Sequence, residues 1–329
     1  ERAVSLAYDS GGYISSITSS SGRTVGFGRD AIGRIITQTF SNGEIVEFDY
    51  DANGNVLGVT PPNRPAHRFT YNELDLLTAY SPPPVTGSGV GVTSTFYAYN
   101  AEQQLTRVTY PDGNTATYDY DDAGRLRTLA IPEGEYRLSY NTSGLLGRVT
   151  APNSVALDYT YDGTLMTAVN VSGPVTGKVG YSFDENLWIS EISVNDTDAI
   201  NNLYDDDGLL IQSGEMTLSY DPQNGLLTGT QLVGVNESFD YNSVGEVINY
   251  VARYNGTPLL EISYTRDLQS RITEKVETIE GVTTTYNFTY DLMGRLTEVK
   301  QNGSIAAAYS YDVNGNRIGK TGSGTNESG

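Results

Sequence analysis

Residues 120–126 read Tyr-Asp-Asp-Ala-Gly-Arg-Leu, and versions of this short stretch recur along the whole chain. A second clear copy, Tyr-Asp-Leu-Met-Gly-Arg-Leu, occupies residues 290–296, and related copies begin at Tyr50 and Tyr311. Repetition at a fixed interval is typical of an array of one structural unit. We identify about fifteen copies of about 21 residues each. The Asp or Asn of each copy, called the marker here, is Asp9, Asp30, Asp51, Asn72, Asn100, Asp121, Asn141, Asp162, Asp184, Asp205, Asp221, Asn242, Asp267, Asp291 and Asp312.

The residues around each marker predict a β-hairpin. Aromatic residues alternate with other residues just before it, as at Tyr118 and Tyr120, and this period of two is typical of a strand. The marker side chain can accept a hydrogen bond from a backbone N–H two residues later. A glycine three positions after the marker, such as Gly124, supplies the positive φ of a type I turn with a glycine bulge.

The strand after the turn has an unusual apolar spacing. Leu126 and Leu129 are three residues apart, whereas side chains on one face of a flat strand are two apart. Either a β-bulge separates the two leucines or both faces of the strand are partly covered, and the sequence leaves both alternatives open. A second turn signal, such as Tyr-Pro-Asp-Gly at residues 110–113, completes each two-stranded repeat. No segment has the apolar spacing and caps of a helix.

The continuous period predicts one domain over residues 1–318, followed by a flexible polar tail over residues 319–329. A lone hairpin is marginally stable in water, so the repeats must stack side by side. A twisted sheet of about thirty strands does not stay flat. We therefore predict an all-β fold in which tandem β-hairpins form one long, curled antiparallel sheet around a hollow.

Composition excludes several functional classes. The formal charge of −20 argues against binding to nucleic acid or to anionic lipid. The chain has no cysteine, which excludes disulfides, thiolate nucleophiles and cysteine zinc sites. No apolar run is long enough for a transmembrane helix, and no signal core opens the chain, which begins inside a repeat and is expected to be a piece of a longer protein.

The repeated Tyr-Asp-x-x-Gly-Arg-Leu motif, with its interleaved Pro-Asp-Gly turns, resembles the YD repeats of the RHS family, of Tc-toxin shell subunits and of teneurin receptors. The resemblance extends from Leu6 to about Ile318. It implies a β-spiral wrapped into a hollow shell, of which this chain would form a part. In bacterial members such a shell encloses a C-terminal toxin, and in teneurins it carries adhesion.

The resemblance implies a non-enzymatic structural role in a larger secreted or cell-surface protein. The implied partner is an enclosed toxin or effector polypeptide, from the missing C-terminal part or from a partner chain. The alternative is a surface module for adhesion or glycan binding, in which exposed tyrosines contact the ligand. We predict no catalytic, cofactor-binding or metal-binding residues and no cofactor. The family's Asp-Pro-x-Gly self-cleavage motif is not matched, because two residues separate Asp221-Pro222 from Gly225.

Several residues resemble parts of catalytic or metal sites, but we assign them to the structure of the repeat instead. His67, the only histidine, has no nucleophile or orienting acid that the sequence can place beside it. Carboxylates recur at the marker, where Asp and Asn interchange, and a general acid would not tolerate asparagine. On that basis Asp121→Asn is expected to be nearly silent. Calcium-like runs at Asp51, Asp205 and Asp312 lack the glycine and glutamate of a calcium loop.

Two further patterns were interpreted as surface features. The Gly-rich stretch 87–91 lacks the lysine and the helix of a phosphate loop, so we expect a surface loop. Asn-x-Ser/Thr triplets reflect a composition rich in these residues, and they begin at Asn141, Asn170, Asn195, Asn236, Asn255, Asn287, Asn302 and Asn326.

Overall fold

A computed structural model describes residues 3–20, 22–84, 94–322 and 327–328. These residues form no helix, and hence none that could span a membrane. They form the strands β1 (Val4–Tyr8), β2 (Ile14–Ser19), β3 (Thr24–Arg29), β4 (Ile35–Phe40), β5 (Ile45–Tyr50), β6 (Val56–Thr60), β7 (His67–Tyr71), β8 (Leu77–Ser81), β9 (Thr95–Tyr99), β10 (Leu105–Thr109), β11 (Thr115–Tyr120), β12 (Leu126–Ile131), β13 (Gly134–Tyr140), β14 (Leu146–Thr150), β15 (Ala156–Asp162), β16 (Leu165–Ser172), β17 (Gly177–Phe183), β18 (Ile189–Val194), β19 (Asp198–Tyr204), β20 (Leu210–Ser213), β21 (Met216–Tyr220), β22 (Leu227–Leu232), β23 (Val235–Tyr241), β24 (Val247–Tyr254), β25 (Thr257–Arg266), β26 (Ile272–Ile279), β27 (Val282–Tyr290), β28 (Leu296–Gln301), β29 (Ser304–Tyr311), β30 (Arg317–Gly322) and β31 (Glu327–Ser328).

Strands that follow each other in the chain pair antiparallel, as β11, β12, β13 and β14 show. The strand before each marker and the strand after it form one hairpin, and the second turn of each repeat leads into the next hairpin. Because every pairing joins chain neighbours, the fold is an unbranched series of hairpins. The predicted all-β architecture of tandem repeats is confirmed.

The marker turns have the predicted geometry. The Gly124 N–H donates to the carbonyl oxygen of Asp121 at 2.8 Å, and the Asp121 N–H donates to the carbonyl oxygen of Arg125 at 2.9 Å. Gly124 has a φ of +77°. This pattern is that of a type I turn followed by a glycine bulge. Asp162 is an exception, because β15 continues through it and Gly163 and Thr164 make a two-residue turn instead.

A β-bulge explains the spacing of three between Leu126 and Leu129. Asp119 pairs with Thr128, but the next residue, Tyr120, pairs with Leu126, so the register shifts by one residue. The extra residue lets both leucines lie on the same face of β12. The same shift precedes the tyrosine in β13, β15, β19, β23, β27 and β29. Of the two alternatives left open by the sequence, the bulge is the correct one.

Burial is shallow throughout the described residues. The buried apolar residues are small or medium-sized, and no large side chain is fully buried. Most tyrosines and leucines of the strands are half-buried. The sheet therefore lacks the interdigitated core that two packed layers would create. The buried apolar residues are Val108, Ala116, Ala156, Ala168 and Ala307.

The strands belong to two compact units. Unit 1 comprises Glu1–Arg68 and Ser219–Gly329, and unit 2 comprises Phe69–Leu218. The boundaries fall inside β7 and β21, so neither boundary is a linker between elements. The expectation of one continuous domain over residues 1–318 remains a prediction. The expected start of a tail at residue 319 differs from the structure, since β30 pairs with β29 as far as Gly322.

Candidate functional site

The tyrosine before a marker joins its repeat to the previous one. In nine repeats its hydroxyl donates a hydrogen bond to the carbonyl oxygen of an apolar residue of the previous repeat, over 2.7 to 3.0 Å. The acceptor lies five positions after the previous marker, or six after Asp221, whose turn is one residue longer. We call this contact the tyrosine lock. Its donor and acceptor pairs are Tyr50 to Ile35, Tyr99 to Leu77, Tyr120 to Leu105, Tyr140 to Leu126, Tyr161 to Leu146, Tyr204 to Ile189, Tyr241 to Leu227, Tyr290 to Ile272 and Tyr311 to Leu296.

Arginine replaces tyrosine in two of the locks. Arg29 donates to the carbonyl oxygen of Ile14 at 3.2 Å, and Arg266 donates to that of Val247 at 3.4 Å. Each acceptor is again the residue five positions after the previous marker. In these locks the position holds a long side chain that ends in a hydrogen-bond donor, and arginine can take the place of tyrosine, whereas Phe183 before Asp184 has no such donor.

The marker carboxylate holds its own turn together. Asp121 Oδ1 accepts the backbone N–H groups of Ala123 and Arg125, at 3.0 and 2.9 Å. Its Oδ2 accepts the Arg125 Nε–H at 2.8 Å. The Arg125 side chain, with its backbone N–H, holds the pKa of the Asp121 carboxyl below its ordinary value. Both oxygens are thus occupied by the turn.

The arginine four positions after the marker connects the turn to the following repeat. The guanidinium carbon of Arg34 lies 4.8 Å from the centre of the Tyr50 ring, and Arg34 Nη1 donates to the carbonyl oxygen of Asp51 at 2.8 Å. Arg295 makes the same pair of contacts with Tyr311 and Asp312. A guanidinium over a tyrosine ring adds a favourable cation–π contact. The Tyr, Arg and Leu of the motif therefore act at the joint between neighbouring hairpins, while the Asp carboxylate and the Gly shape the turn itself.

Asp and Asn interchange at the marker where arginine does not follow four positions later, and the silent Asp121→Asn substitution remains a prediction. Every marker followed by arginine four positions later is Asp, and these markers are Asp30, Asp121, Asp267 and Asp291. The Asn markers precede other residues, namely Leu76, Gln104, Leu145 and Glu246. Asn242 Nδ2 donates to Glu246 Oε2 at 2.7 Å, a bond that a carboxylate could not make. The marker is matched to its partner four residues later, and the sequence contains this signal.

Unit 1 brings the beginning and the end of the chain together. Arg64 Nη2 donates to Asp312 Oδ2 at 2.8 Å, and Gln269 Nε2 donates to Ser20 Oγ at 3.4 Å. These pairs are 248 and 249 residues apart in the sequence. Two contacts with nearly the same separation indicate that the chain returns to its own beginning in register.

A cavity of about 830 Å³ lies beside the second of these contacts, also within unit 1. One wall comes from the end of β2, the turn before β3 and the turn after β4, and the other comes from the marker turns at Asp267 and Asp291. Its volume is within the range of small-ligand pockets. Its lining residues are Ser19, Gly22, Arg23, Ser41, Gln269, Arg271, Tyr290, Asp291, Leu292, Met293 and Gly294.

Comparison with known proteins agrees with this geometry. A family model described as Teneurin YD-shell matches residues 1–328. The chain belongs to this family. Teneurin-3 of Danio rerio is 24% identical to this YD-shell chain over 250 residues, which are 71% of the chain and 9% of the relative. Teneurin-3 of Mus musculus is 24% identical over 231 residues, or 67% and 8%. The chain thus spans less than a tenth of these relatives.

Solved structures also resemble the YD-shell chain. The crystal structure of TcdB2-TccC3-TEV has a TM-score of 0.58 at 13% identity, covering 94% of this chain and 24% of that chain. For the crystal structure of TcdB2-TccC3 the TM-score is 0.53 at 16% identity, with 94% and 20% covered. At such identities the likeness concerns the fold alone. The predicted resemblance to YD-repeat proteins and the predicted fold class are confirmed.

The residues weighed as sites in the sequence have structural positions in the YD-shell repeat. His67 is the first residue of β7 and is half-buried. Asp51, Asp205 and Asp312 each accept two backbone N–H groups of their own turns. Asp221 accepts the Gln223 N–H in a turn that is one residue longer. Within the described residues, no three His, Asp or Glu side chains are grouped closely enough to hold a metal ion.

The remaining patterns fall into two groups. Asn195 and Asn302, which begin glycosylation triplets, use their side-chain oxygens to accept the backbone N–H groups of Lys178 and Thr285, at 2.9 Å each. These asparagines therefore connect their own turns to strands β17 and β27. The Gly-rich stretch 87–91 lies outside the described residues.

Proposed function

We propose that this YD-shell segment is a non-enzymatic part of a larger secreted or surface protein, and that its sheet encloses or presents another polypeptide. The observation that carries the proposal is the shallow burial of the sheet. Within the described residues no large side chain is fully buried, although the strands are rich in tyrosine and leucine. A sheet face of this composition gains free energy if a further polypeptide covers it.

The use of the motif residues supports a structural role. The recurring residues contact one another within and between hairpins. Tyr120 donates to an apolar residue's carbonyl oxygen in the previous repeat, and Arg125 contacts both Asp121 in its own turn and a tyrosine ring in the next repeat. Most of the side-chain donors and acceptors of these motif residues are thus used within the frame of hairpins. The repeats therefore build a frame, and we propose that any chemistry belongs to what the frame holds.

The structural neighbours support the enclosed or presented polypeptide. TcdB2-TccC3 has been solved in forms named with TEV and with Cdc42, and in a form without its hypervariable C-terminal region. The last of these names describes the C-terminal region of TcdB2-TccC3 as hypervariable. We propose the same kind of arrangement, a sheet that encloses or presents another polypeptide, for the present chain. We further propose that residues 1–318 form one continuous array and that the protein is extracellular.

Small-angle X-ray scattering tests for a hollow. A compact chain of this length has a radius of gyration of about 20 Å. A sheet wrapped around an open centre places its mass farther out, so we expect a radius several Å larger and a pair-distance distribution shifted to long distances. A radius near the compact value would overturn the proposal.

Protease protection tests enclosure directly. An unstructured cargo polypeptide with one TEV protease site is joined after Gly329. The same cargo is inserted as a control at Gly256, where a β-carbon would have no heavy atom within 4 Å. We expect slower cleavage at the C-terminal position. If the cleavage rates were equal but the scattering profile were hollow, the structural role of the sheet would stand, whereas the proposal that it encloses a polypeptide would be refuted.

Exposed aromatic side chains favour recognition as a second candidate function. Tyr8, Tyr110 and Tyr254 are 59%, 42% and 51% exposed, and Phe96 is 54% exposed. Aromatic rings of this kind can stack on sugar rings or on a partner protein. A glycan array probed with the wild type and with Tyr110→Ser and Tyr254→Ser tests this role. Specific binding that both substitutions weaken would support it.

A further inference from the structure

The cavity in unit 1 contains two converging arginines. A β-carbon placed on Gly294 would lie 3.4 Å from Arg271 Nη1 and 3.6 Å from Arg23 Nη1. Both guanidinium groups therefore approach the same face of one glycine. Their Nη1 atoms are thus within about 7 Å of each other, and two like charges at this range repel unless an anion or a carboxylate offsets them.

Arg23 has no partner that would offset this repulsion. Its side chain is exposed and makes no hydrogen bond or ion pair with the residues that the structure describes. The chain has 40 acidic residues for 20 basic ones, so a carboxylate partner is available to most of its arginines. Among the described residues, Arg23 is one of the few arginines whose side chain has no hydrogen-bond or ion-pair partner, and it approaches the same glycine as a second arginine.

The acidic groups around the cavity are already neutralised. Asp267 is paired with Arg271 at 2.6 Å, and Asp291 is paired with Arg295 at 2.7 Å. Arg23 then supplies the one positive charge in excess. Arg271 Nη1 is also available, because the ion pair with Asp267 uses the Nε and Nη2 groups. A lining with one surplus positive charge matches a monoanion better than a dianion.

The rest of the lining suggests an apolar group beside the anion. Leu292 is 77% exposed at the rim, and Met293 adds a flexible apolar side chain. Gln269 contributes an amide that can bond to a peptide group. A planar guanidinium matches a carboxylate through two parallel hydrogen bonds.

We propose that this cavity binds a peptide carboxylate next to an aliphatic side chain, such as a C-terminal leucine. Arg23 and Arg271 Nη1 donate to the carboxylate oxygens, while Leu292 and Met293 contact the aliphatic group. This site concerns local recognition in unit 1 and does not depend on whether the sheet encloses a polypeptide.

The test follows the arginine Nε–Hε signals by NMR while N-acetyl-Leu-Leu with a free carboxylate is added. We expect saturable shifts of the Arg23 and Arg271 signals at millimolar peptide. Arg23→Ala should weaken binding about tenfold, the loss of one charge-assisted contact. Arg23→Lys should weaken it about threefold, because lysine keeps the charge but not the planar fork.

The controls separate this site from general electrostatics. Arg107→Ala removes another exposed arginine without a described partner and should leave the affinity unchanged. The peptide amide should not bind. The proposal would be overturned if the peptide amide bound as tightly as the free carboxylate, or if Arg107→Ala weakened binding as much as Arg23→Ala. The absence of shifts at about 50 mM peptide would also overturn it. Tighter binding of inorganic phosphate or of N-acetylneuraminate would overturn the peptide assignment. Because the Arg23 side chain makes no bond to the residues that the structure describes, and its backbone carbonyl keeps the Ser19 N–H, the melting temperature of Arg23→Ala should equal that of the wild type.

Discussion

Arg64 Nη2 lies 2.8 Å from Asp312 Oδ2, although the two residues are 248 positions apart. Asp312 is a marker, and the residue four positions later is Asn316 rather than arginine. Asn316 Nδ2 donates to Asp312 Oδ2 at 3.0 Å, and Arg64 provides the positive charge that other markers receive from their own repeat. The first and last parts of unit 1 are thus joined by the same chemistry that holds single turns.

Acid should weaken this contact in a defined range. The Asn316 amide, followed by Arg64, lowers the pKa of Asp312 from 3.8 to about 2. Because the folded pKa lies below the unfolded one, the stabilising contribution is complete above 3.8 and is lost as the pH falls through about 2. Arg64→Ala should raise the pKa of Asp312, but not fully, since Asn316 remains. Carboxyl ¹³C NMR titration measures this.

The neighbouring Arg68 provides the control for that titration. It pairs with Asp49 at 3.1 Å, and both side chains are more than half exposed. Arg68→Ala should leave the Asp312 titration unchanged. If Arg64→Ala also left it unchanged, the contact between the two ends of the chain would be absent in solution.

The tyrosine lock predicts a difference between two neighbouring tyrosines. Tyr120→Phe removes the hydroxyl that donates to the Leu105 carbonyl oxygen at 2.8 Å. It should destabilise the protein by about 1 kcal/mol, because a half-buried carbonyl loses its donor. Tyr118→Phe removes a hydroxyl that has no hydrogen-bond partner in the described part of the chain and should be nearly silent. Chemical denaturation of both variants tests this, and equal effects would contradict the lock.

Backbone strain at the marker turn can be isolated at Gly54. Its φ is +97°, and a β-carbon there would meet no heavy atom within 4 Å. Gly54→Ala should therefore cost about 1 kcal/mol through φ alone. Gly26 lies in β3 without positive φ, and its nearest neighbour would be 3.9 Å away, so Gly26→Ala should be neutral or slightly stabilising. Thermal melting distinguishes them, and a neutral Gly54→Ala would refute the turn assignment.

The match between a marker and its partner predicts a rescue. Asn242→Asp places a carboxylate next to Glu246, where the wild type has an amide-to-carboxylate bond of 2.7 Å. We expect a loss of about 0.5–1 kcal/mol from like-charge repulsion. Adding Glu246→Arg recreates the Asp291–Arg295 arrangement and should restore stability. Denaturation of the two single variants and the double variant gives the coupling energy, and additive effects would argue against matching.

The sequence predicts the hairpins because their signals are local. The Asp121 turn, the glycine at Gly124 and the alternation before Tyr120 each depend on residues only a few positions apart. The role of Arg125 is harder to predict, since its ring contact at 4.2 Å is with Tyr140 of the next repeat. Comparing marker and partner residues across copies would have revealed the Asp–Arg match.

Long-range features could not be predicted in this way. No signal within a single repeat specifies that Arg64 contacts Asp312 or that Arg23 and Arg271 approach the same glycine. These arrangements depend on the twist that accumulates over many hairpins. The cavity in unit 1 follows from the same accumulation. The spacing of the repeats in the sequence defines the hairpin unit. The small rotation between neighbouring hairpins determines which distant residues come into contact.

The tyrosine lock spans different lengths of chain without changing its geometry. Most locks reach back 14 or 15 residues, but Tyr290 reaches back 18 and Tyr99 reaches back 22, with the same bond length within 0.3 Å. The additional residues lie at the far end of the repeat, away from the joint: for Tyr290 they lengthen β26 and β27, which pair as far as Ile279 and Val282, and for Tyr99 they lie between β8 and β9. Related arrays can therefore acquire, exchange or lose surface loops during evolution while the skeleton is inherited intact, and these second turns are the natural positions for grafting foreign peptides.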